Sequence, residues 1–334
     1  MIDKAYIKQM RAAAKRDATE FNSDQRNLEL LRKDDQGKEP PYQGTTFLFI
    51  RGFDGDTGDR PIPAGQVFWV SPDVELFDAG GVRVPTSTIR AGEAYTIEVV
   101  VTNSGDRDCH SCSVELFLTN PALGFQVATA TVLGTQLAFV PRMSTAAVRF
   151  AFTATTEMVG HRCLFARVAS FITNDLPSDW SGLNANLDRH LGQQNLDIVQ
   201  QGTTYNFNVH LPVQLKGKNL ALTMKPNPAL APQIRLPVIG RYLVAERPIA
   251  AAFEIKRPVV RPPDPVRGRP RRGTALTKEA LDHWTLKSDA DVEAMQMAIP
   301  NLGLQPNEMV PMELRLSDPA SGNVIGGITL LVVG

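Results

Sequence analysis

Period-two alternation of apolar residues, frequent turn formers and the lack of a long apolar run predict a mainly β chain. The expected architecture is two sandwich domains behind an N-terminal helical arm. The clearest alternation spans residues 94–102: Tyr95, Ile97, Val99 and Val101 alternate with Thr96, Glu98 and Thr102, and only Val100 breaks the polar set. Such a pattern marks a strand with one buried face. Asn103, Ser104, Gly105 and Asp106 then form a turn, and Val114, Leu116 and Leu118 begin a second alternation. The 25 glycines and 24 prolines among 334 residues favour short strands and turns over long helices.

Residues 1–67 read as a helical arm and linker. Tyr6, Ile7, Met10 and Ala14 fall near helical spacing, and Leu28, Leu30 and Leu31 form a second apolar cluster among lysines and arginines. So polar a helix either packs on its own domain or docks on a neighbour, and Tyr6, Ile7 and Met10 are its candidate contacts. Pro40 and Pro41 mark a linker, 45–51 a short strand, and Asp54, Asp56 and Asp59 a glycine-rich loop.

The first sandwich is expected over 68–201. Its core should hold Tyr95, Ile97, Val99, Val114, Leu116, Leu118, Val148, Phe150 and Phe152. The second should span 202–334, opening with a strand at 204–211, where Tyr205, Phe207, Val209 and Leu211 share a face. Further strands are expected at 220–224, 234–239, 242–246 and 250–256, with 310–316 and 325–333 closing the sheets. Residues 256–300 read as an insertion: a basic, proline-rich stretch followed by short helices at 277–284 and 289–298, with Thr277 and Ser288 as N-caps.

Net charge is zero, with 35 basic and 35 acidic residues, so no global field draws the chain to nucleic acid or an anionic membrane. No apolar run approaches the roughly 20 residues of a bilayer span. The opening residues lack the apolar core of a secretory signal, which leads us to expect cytoplasmic synthesis. Three cysteines fit a reducing compartment, or a particle assembled in a cell and released later.

Ser71-Pro72-Asp73, Ile89-Arg90-Ala91-Gly92, Val101-Thr102-Asn103-Ser104-Gly105, Gly160-His161-Arg162-Cys163-Leu164 and Asp188-Arg189-His190 with Gln194-Asn195 occur in a familiar order. Together they resemble bacterial immunoglobulin-like domains related to cell-adhesion modules, the CARDB-like domains, over about residues 69–200. The resemblance implies a non-catalytic sandwich used as spacer, adaptor or binding surface; it does not extend to the Cys109–Cys112 segment or to the second domain.

Four motifs bear on chemistry. Cys109, Cys112, His161 and Cys163 could supply a tetrahedral zinc set. Strand parity opposes it, because Cys112 shares parity with inward residues while Leu164, Ala166 and Val168 turn His161 and Cys163 outward. Buried thiols are the expected outcome, with no metal or cofactor. Asp54 to Asp59 resembles the start of a calcium loop but lacks flanking helices and a distal glutamate, so a solvated turn is expected. Residues 256–273 hold seven basic side chains and one acid. Arg267-Gly268-Arg269-Pro270 there resembles an AT hook for narrow minor grooves. The alternative is a docking arm, with Arg261, Arg267, Arg269, Arg271 and Arg272 meeting a neighbouring subunit. Asp188, Arg189, His190 and Asn195 suggest acid–base work, but no nucleophile elbow accompanies them and loop hydrogen bonding is expected. These readings converge on a non-enzymatic structural or adaptor subunit of a large particle, phage-like or of a related bacterial assembly, whose partners are other protein subunits. The alternatives are DNA binding through the arginine-rich loop, or a zinc or thiol site.

Overall fold

The computed structural model describes residues 43–63, 65–182, 184–211, 213–245, 252–257 and 275–334. The expected helical arm, with Tyr6, Ile7 and Met10, lies outside the described residues, as do Arg261, Arg267, Arg269, Arg271 and Arg272. The chain is mainly β, and the helical segments among the described residues are short 3₁₀ turns.

The first half contributes β1 (Leu48–Phe49), β2 (Val74–Asp78), β3 (Ala94–Asn103), β4 (Cys109–Thr119), β5 (Ala122–Leu123), β6 (Thr131–Val140), β7 (Ser144–Thr153), β8 (Cys163–Ala169) and β9 (Leu191–Gln194). β1 and β2 pair in succession with one edge of β3, and β7 pairs with the other. Facing them is the sheet β6-β4-β8-β9. Between the two lie Ile97, Val99, Val114, Leu116, Leu118, Val148, Phe150, Leu164, Ala166 and Val168. The predicted core is buried as read, except that Phe152 sits half-buried at the rim, stacked on Tyr95.

The second half contributes β10 (Leu196–Gln200), β11 (Thr204–His210), β12 (Leu220–Pro226), β13 (Leu243–Val244), β14 (Glu254–Lys256), β15 (Ala275–Ala280), β16 (His283–Lys287), β17 (Val292–Ala298), β18 (Glu308–Ser317) and β19 (Val324–Val333). The larger sheet runs β10-β19-β18-β12-β16-β15, with β13 beside β18; the smaller runs β14-β17-β11-β5. Their core includes Phe207, Leu222, Trp284, Met295, Leu314 and Leu330.

The expected helices are strands. Residues 277–284 fall on the antiparallel hairpin β15–β16, which turns at Asp282 in the left-handed region (φ 58°). Trp284 and Leu286 are buried while His283, Thr285 and Lys287 are not, which is period two. Of residues 289–298, Val292–Ala298 form β17, where Met295 and Met297 point into the core from a seven-residue ladder with β11. Alanine, methionine and glutamine favour helix there, and cross-strand burial overrides that preference. The expected strands at 234–239 and 242–246 are also corrected. Pro228–Gln233 and Pro237–Arg241 are 3₁₀ turns, leaving only Leu243–Val244 as strand. Pro228, Pro232 and Pro237 lack the N–H groups that a ladder needs.

A third apolar cluster joins the halves. Trp69, Phe117, Cys163, Phe165, Leu191 and Leu196 pack with Leu230, Ile234, Met309, Leu331 and Val333. β8 is therefore buried on both faces: Leu164, Ala166 and Val168 enter the first core, Cys163 and Phe165 the joint. β19 behaves likewise, with Ile328, Leu330 and Val332 facing one way and Leu331 and Val333 the other. Continuous apolar runs in both strands reflect this two-sided burial.

Candidate functional site

The chain crosses from one sheet to the other at a single residue. β9 ends at Gln194, β10 begins at Leu196 parallel to β19, and Asn195 lies fully buried between them. Its backbone N–H donates to the Trp69 carbonyl (2.8 Å), and its carbonyl accepts from the Thr329 N–H (3.0 Å). Its side-chain Nδ2 donates to the carbonyls of Ala122 (3.0 Å) and Gly327 (2.8 Å). The Trp69 indole N–H reaches the Thr329 hydroxyl at 3.0 Å. Gly327 lies flat against that indole: a Cβ there would sit 2.2 Å from the ring, so only glycine fits.

The donors of Asn195 fix the protons around it. With Nδ2 committed to two carbonyls, Oδ1 faces the Cys163 thiol and, at 3.3 Å, His161 Nε2. An amide oxygen only accepts, so Nε2 carries the imidazole proton and Nδ1 is a bare lone pair. Nδ1 stands 3.3 Å from the Thr86 hydroxyl and 3.4 Å from Asp197 Oδ2. The Thr86 hydroxyl donates to the Arg162 carbonyl at 2.6 Å, which leaves a protonated Asp197 carboxyl as the donor for Nδ1. Burial acts in the same direction. It pushes the Asp197 carboxyl up to about 7 and drops the His161 imidazole to about 3. Below about pH 7 the contact is thus a neutral acid–imidazole hydrogen bond, not an ion pair. Burial also pushes the Cys163 thiol far above its ordinary value, which removes its nucleophilic form. Tyr205 packs 5.9 Å from the His161 ring, with its own hydroxyl buried and without a hydrogen-bond partner.

The start of β9 shows the opposite charge state. His190 Nδ1 lies 2.7 Å from Asp188 Oδ1, and Nε2 lies 2.9 Å from Asp175 Oδ1. Both nitrogens face carboxylates, so both donate and the ring is an imidazolium. Burial opposes this charge, but the hydrogen bonds to Asp175 and Asp188 outweigh it and raise the His190 pKa. Burial likewise would raise Asp188, yet the His190 contact draws it down to about 2. Asp188 also accepts from the Ser178 hydroxyl (2.9 Å), and Asp175 from the Leu48 N–H (2.7 Å) and the Thr46 hydroxyl (3.1 Å). Arg189 pairs with Asp175 and covers the Phe47 ring at 4.3 Å. A surface cleft of about 360 Å³ opens beside this cluster between Phe47, Asp59, Leu187 and Arg189.

Of the residues singled out from sequence, Asp188, Arg189 and His190 meet in this second cluster, while Asn195, His161 and Cys163 meet at the crossing. Cys109 and Cys112 lie in the first core, on the other face of the sheet from Cys163. Among the described residues no three His, Cys, Asp or Glu side chains are placed to hold a metal ion. His161 and Cys163 do leave their own sandwich, as parity indicated, but they enter the joint rather than solvent. The Asp54–Asp59 loop is a turn whose Asp54, Gly55, Thr57 and Asp59 are exposed, and Asp56 is the exception among its carboxylates. Asp56 is buried, accepting from Gly52 N (2.8 Å) and Gly58 N (2.9 Å), and Arg60 clamps it (2.9 and 3.0 Å). Sequence reading missed Asp175, Asp197 and Thr86. Asp197 carried a signal, since it is the one charge inside the run Leu196-Asp197-Ile198-Val199.

No protein-family model matches the chain, and no curated protein matches it. Similar solved structures include the CARDB domain of a Pyrococcus furiosus protein in complex with di-metal ions. It is 16% identical with a TM-score of 0.24, covering 42% of this chain and 97% of its own. A Paenibacillus cycloisomaltooligosaccharide glucanotransferase is 17% identical with a TM-score of 0.21 over 39% of this chain, which spans 16% of that enzyme's length. A Porphyromonas gingivalis protein of unknown function is 8% identical with a TM-score of 0.17, covering 78% of this chain and 100% of its own.

Proposed function

We propose that the protein is a non-catalytic structural or adaptor subunit of a larger protein assembly. In this reading the first half is an immunoglobulin-like sandwich of the CARDB-like kind, and both halves act as one stiff body. The observation that carries it is the joint: a continuous apolar cluster, threaded by Asn195, replaces the flexible linker expected between independently moving domains. The groups that could do chemistry are engaged in closing that body. The Cys163 thiol is buried and held protonated, the His161 lone pair faces Asp197, and His190 is locked between two carboxylates. A body of this kind transmits position and presents surfaces. A phage-like or related bacterial particle is the setting we favour, on the polar composition of residues 1–37 and 256–273.

Native mass spectrometry of the purified full chain over a hundredfold concentration range tests this. The expected result is a species whose mass is a multiple of the 36.5 kDa chain, or a stable complex with other proteins from its source. A monomer throughout, with no co-purifying partner, would refute it.

A further inference from the structure

We propose that Asp197, His161 and Cys163 form a proton-operated switch in the joint: when the Asp197 carboxyl ionises, the imidazole proton passes from Nε2 to Nδ1, and the Cys163 thiol turns from Asn195 to His161. The imidazole stands between the other two groups. His161 Nδ1 is 3.4 Å from Asp197 Oδ2, and Nε2 is 3.9 Å from Cys163 Sγ. Asn195 Oδ1 meets both Nε2, at 3.3 Å, and Sγ, at 2.5 Å.

The available donors give this cluster two settings. Asp197 Oδ1 accepts from the Ile198 N–H at 2.8 Å, which leaves Oδ2, facing Nδ1, to carry the acid proton. With that proton in place, Asp197 donates to Nδ1, while Nε2 and the thiol both donate to Asn195 Oδ1. Once it is lost, a carboxylate oxygen and the Nδ1 lone pair face each other with no hydrogen between them, a costly contact for buried groups. Moving the imidazole proton to Nδ1 restores a donor there, now to a charged acceptor. It also bares Nε2, which accepts the thiol hydrogen. The imidazole is neutral in both settings, and the cluster releases one proton. Cys163 keeps its hydrogen throughout, so the thiol changes partner and is not activated.

The surroundings place the change at Asp197. The Ser87 hydroxyl bonds to its carboxyl, and Tyr205 and Cys163 are its other polar neighbours. Burial pushes the Tyr205 hydroxyl and the Cys163 thiol far up, so neither titrates near neutrality. Arg162 adjoins His161, but its guanidinium turns away to Asn120 Oδ1 (2.8 Å) and the Glu157 carbonyl. Asp197 itself, pushed up to about 7, titrates in this range. A cavity of about 30 Å³, room for a water or two, is lined by Arg83, Arg235, Gln194 and Thr86, whose hydroxyl is 3.3 Å from Nδ1, and it gives the released proton a way out. The loss falls on Asn195. Its Oδ1 gives up both donors, so the residue that crosses between the sheets is held less firmly above pH 7 than below it.

Nitrogen NMR of the full chain with labelled histidine, His161 being assigned through its own backbone, tests this. Below about pH 6 Nε2 should carry the proton and Nδ1 be bare; above about pH 8 the reverse should hold, with a midpoint near 7. In Asp197→Asn the amide donates to Nδ1 at every pH, so Nε2 should stay protonated across the whole range. Protection of the Thr329 amide, which donates to the Asn195 carbonyl, should fall at least about threefold between pH 6 and 8 in wild type, corrected for intrinsic exchange, and hold in Asp197→Asn. Cys163→Ala deprives the bare Nε2 of its donor and should raise the midpoint by about half a pH unit or more. A single tautomer throughout in wild type, an imidazolium anywhere above about pH 5, or a switch that survives in Asp197→Asn would overturn the proposal. An unchanged midpoint in Cys163→Ala would overturn the part given to the thiol, and unchanged Thr329 protection the weakening of the crossing.

Discussion

The acid–imidazole pair at the crossing makes a prediction of unusual sign. In the folded protein His161 is neutral above about 3 and Asp197 is neutral below about 7. Unfolded, they titrate near 6.5 and 3.8. Between pH 4 and 6.5 the folded pair holds one proton, on Asp197, and the unfolded pair also holds one, on His161. Equal proton counts mean that the pair contributes no slope to stability in this window. Replacing either partner exposes the other. In Asp197→Asn, whose amide can still donate to Nδ1, only the unfolded state binds a proton, so stability rises with pH. In His161→Gln only the folded state does, so stability falls with pH. At about 1.4 kcal/mol per pH unit, each slope amounts to about 3 kcal/mol between pH 4 and 6.5. The assay is urea unfolding at half-unit pH steps, with wild-type values subtracted so that all other groups cancel. Opposite slopes are expected. Curves parallel to wild type for both variants, or slopes of the same sign, would refute the neutral pair.

Three further outcomes are expected. His190 has a raised pKa, so its stabilisation is complete below about pH 6.5 and is lost as pH rises through its folded value; its carboxylate partner Asp188 loses its share as pH falls through about 2. NMR titration of His190 should therefore show an imidazolium persisting above the ordinary histidine midpoint of 6.5, and a midpoint below 6.5 would contradict the assignment. Gly327→Val drives a side chain into the Trp69 indole and should cost about 3 kcal/mol or more in denaturant unfolding, against under 1 kcal/mol for a substitution at exposed Leu243. Phe150→Ala should cost about 3–5 kcal/mol by cavity formation in the first core, a loss read from the same unfolding curves.

The alternation at β3 and β4 determined the register of the first sandwich, because a single slip would turn Ile97 and Val99 to solvent. That part of the fold was legible, as were the cysteines' opposed parities and the polar grouping of Asp188, Arg189 and His190. Residues 277–284 and 289–298 were misread because alanine, methionine and glutamate favour helix locally, while the ladders to β11 and β12 that hold them as strands come from residues 60 to 94 positions away. The charge states were beyond sequence for a related reason. His161 and His190 are the same residue type on neighbouring segments, yet one is neutral and the other cationic. What separates them is which carboxyls the packing brings near and how many donors those carboxyls already accept. Local order along a strand is set by its own side chains, but protonation and the choice of a second buried face belong to whatever surface folds against it. For β8 and Asn195 that surface is a sheet more than 100 residues further along the chain.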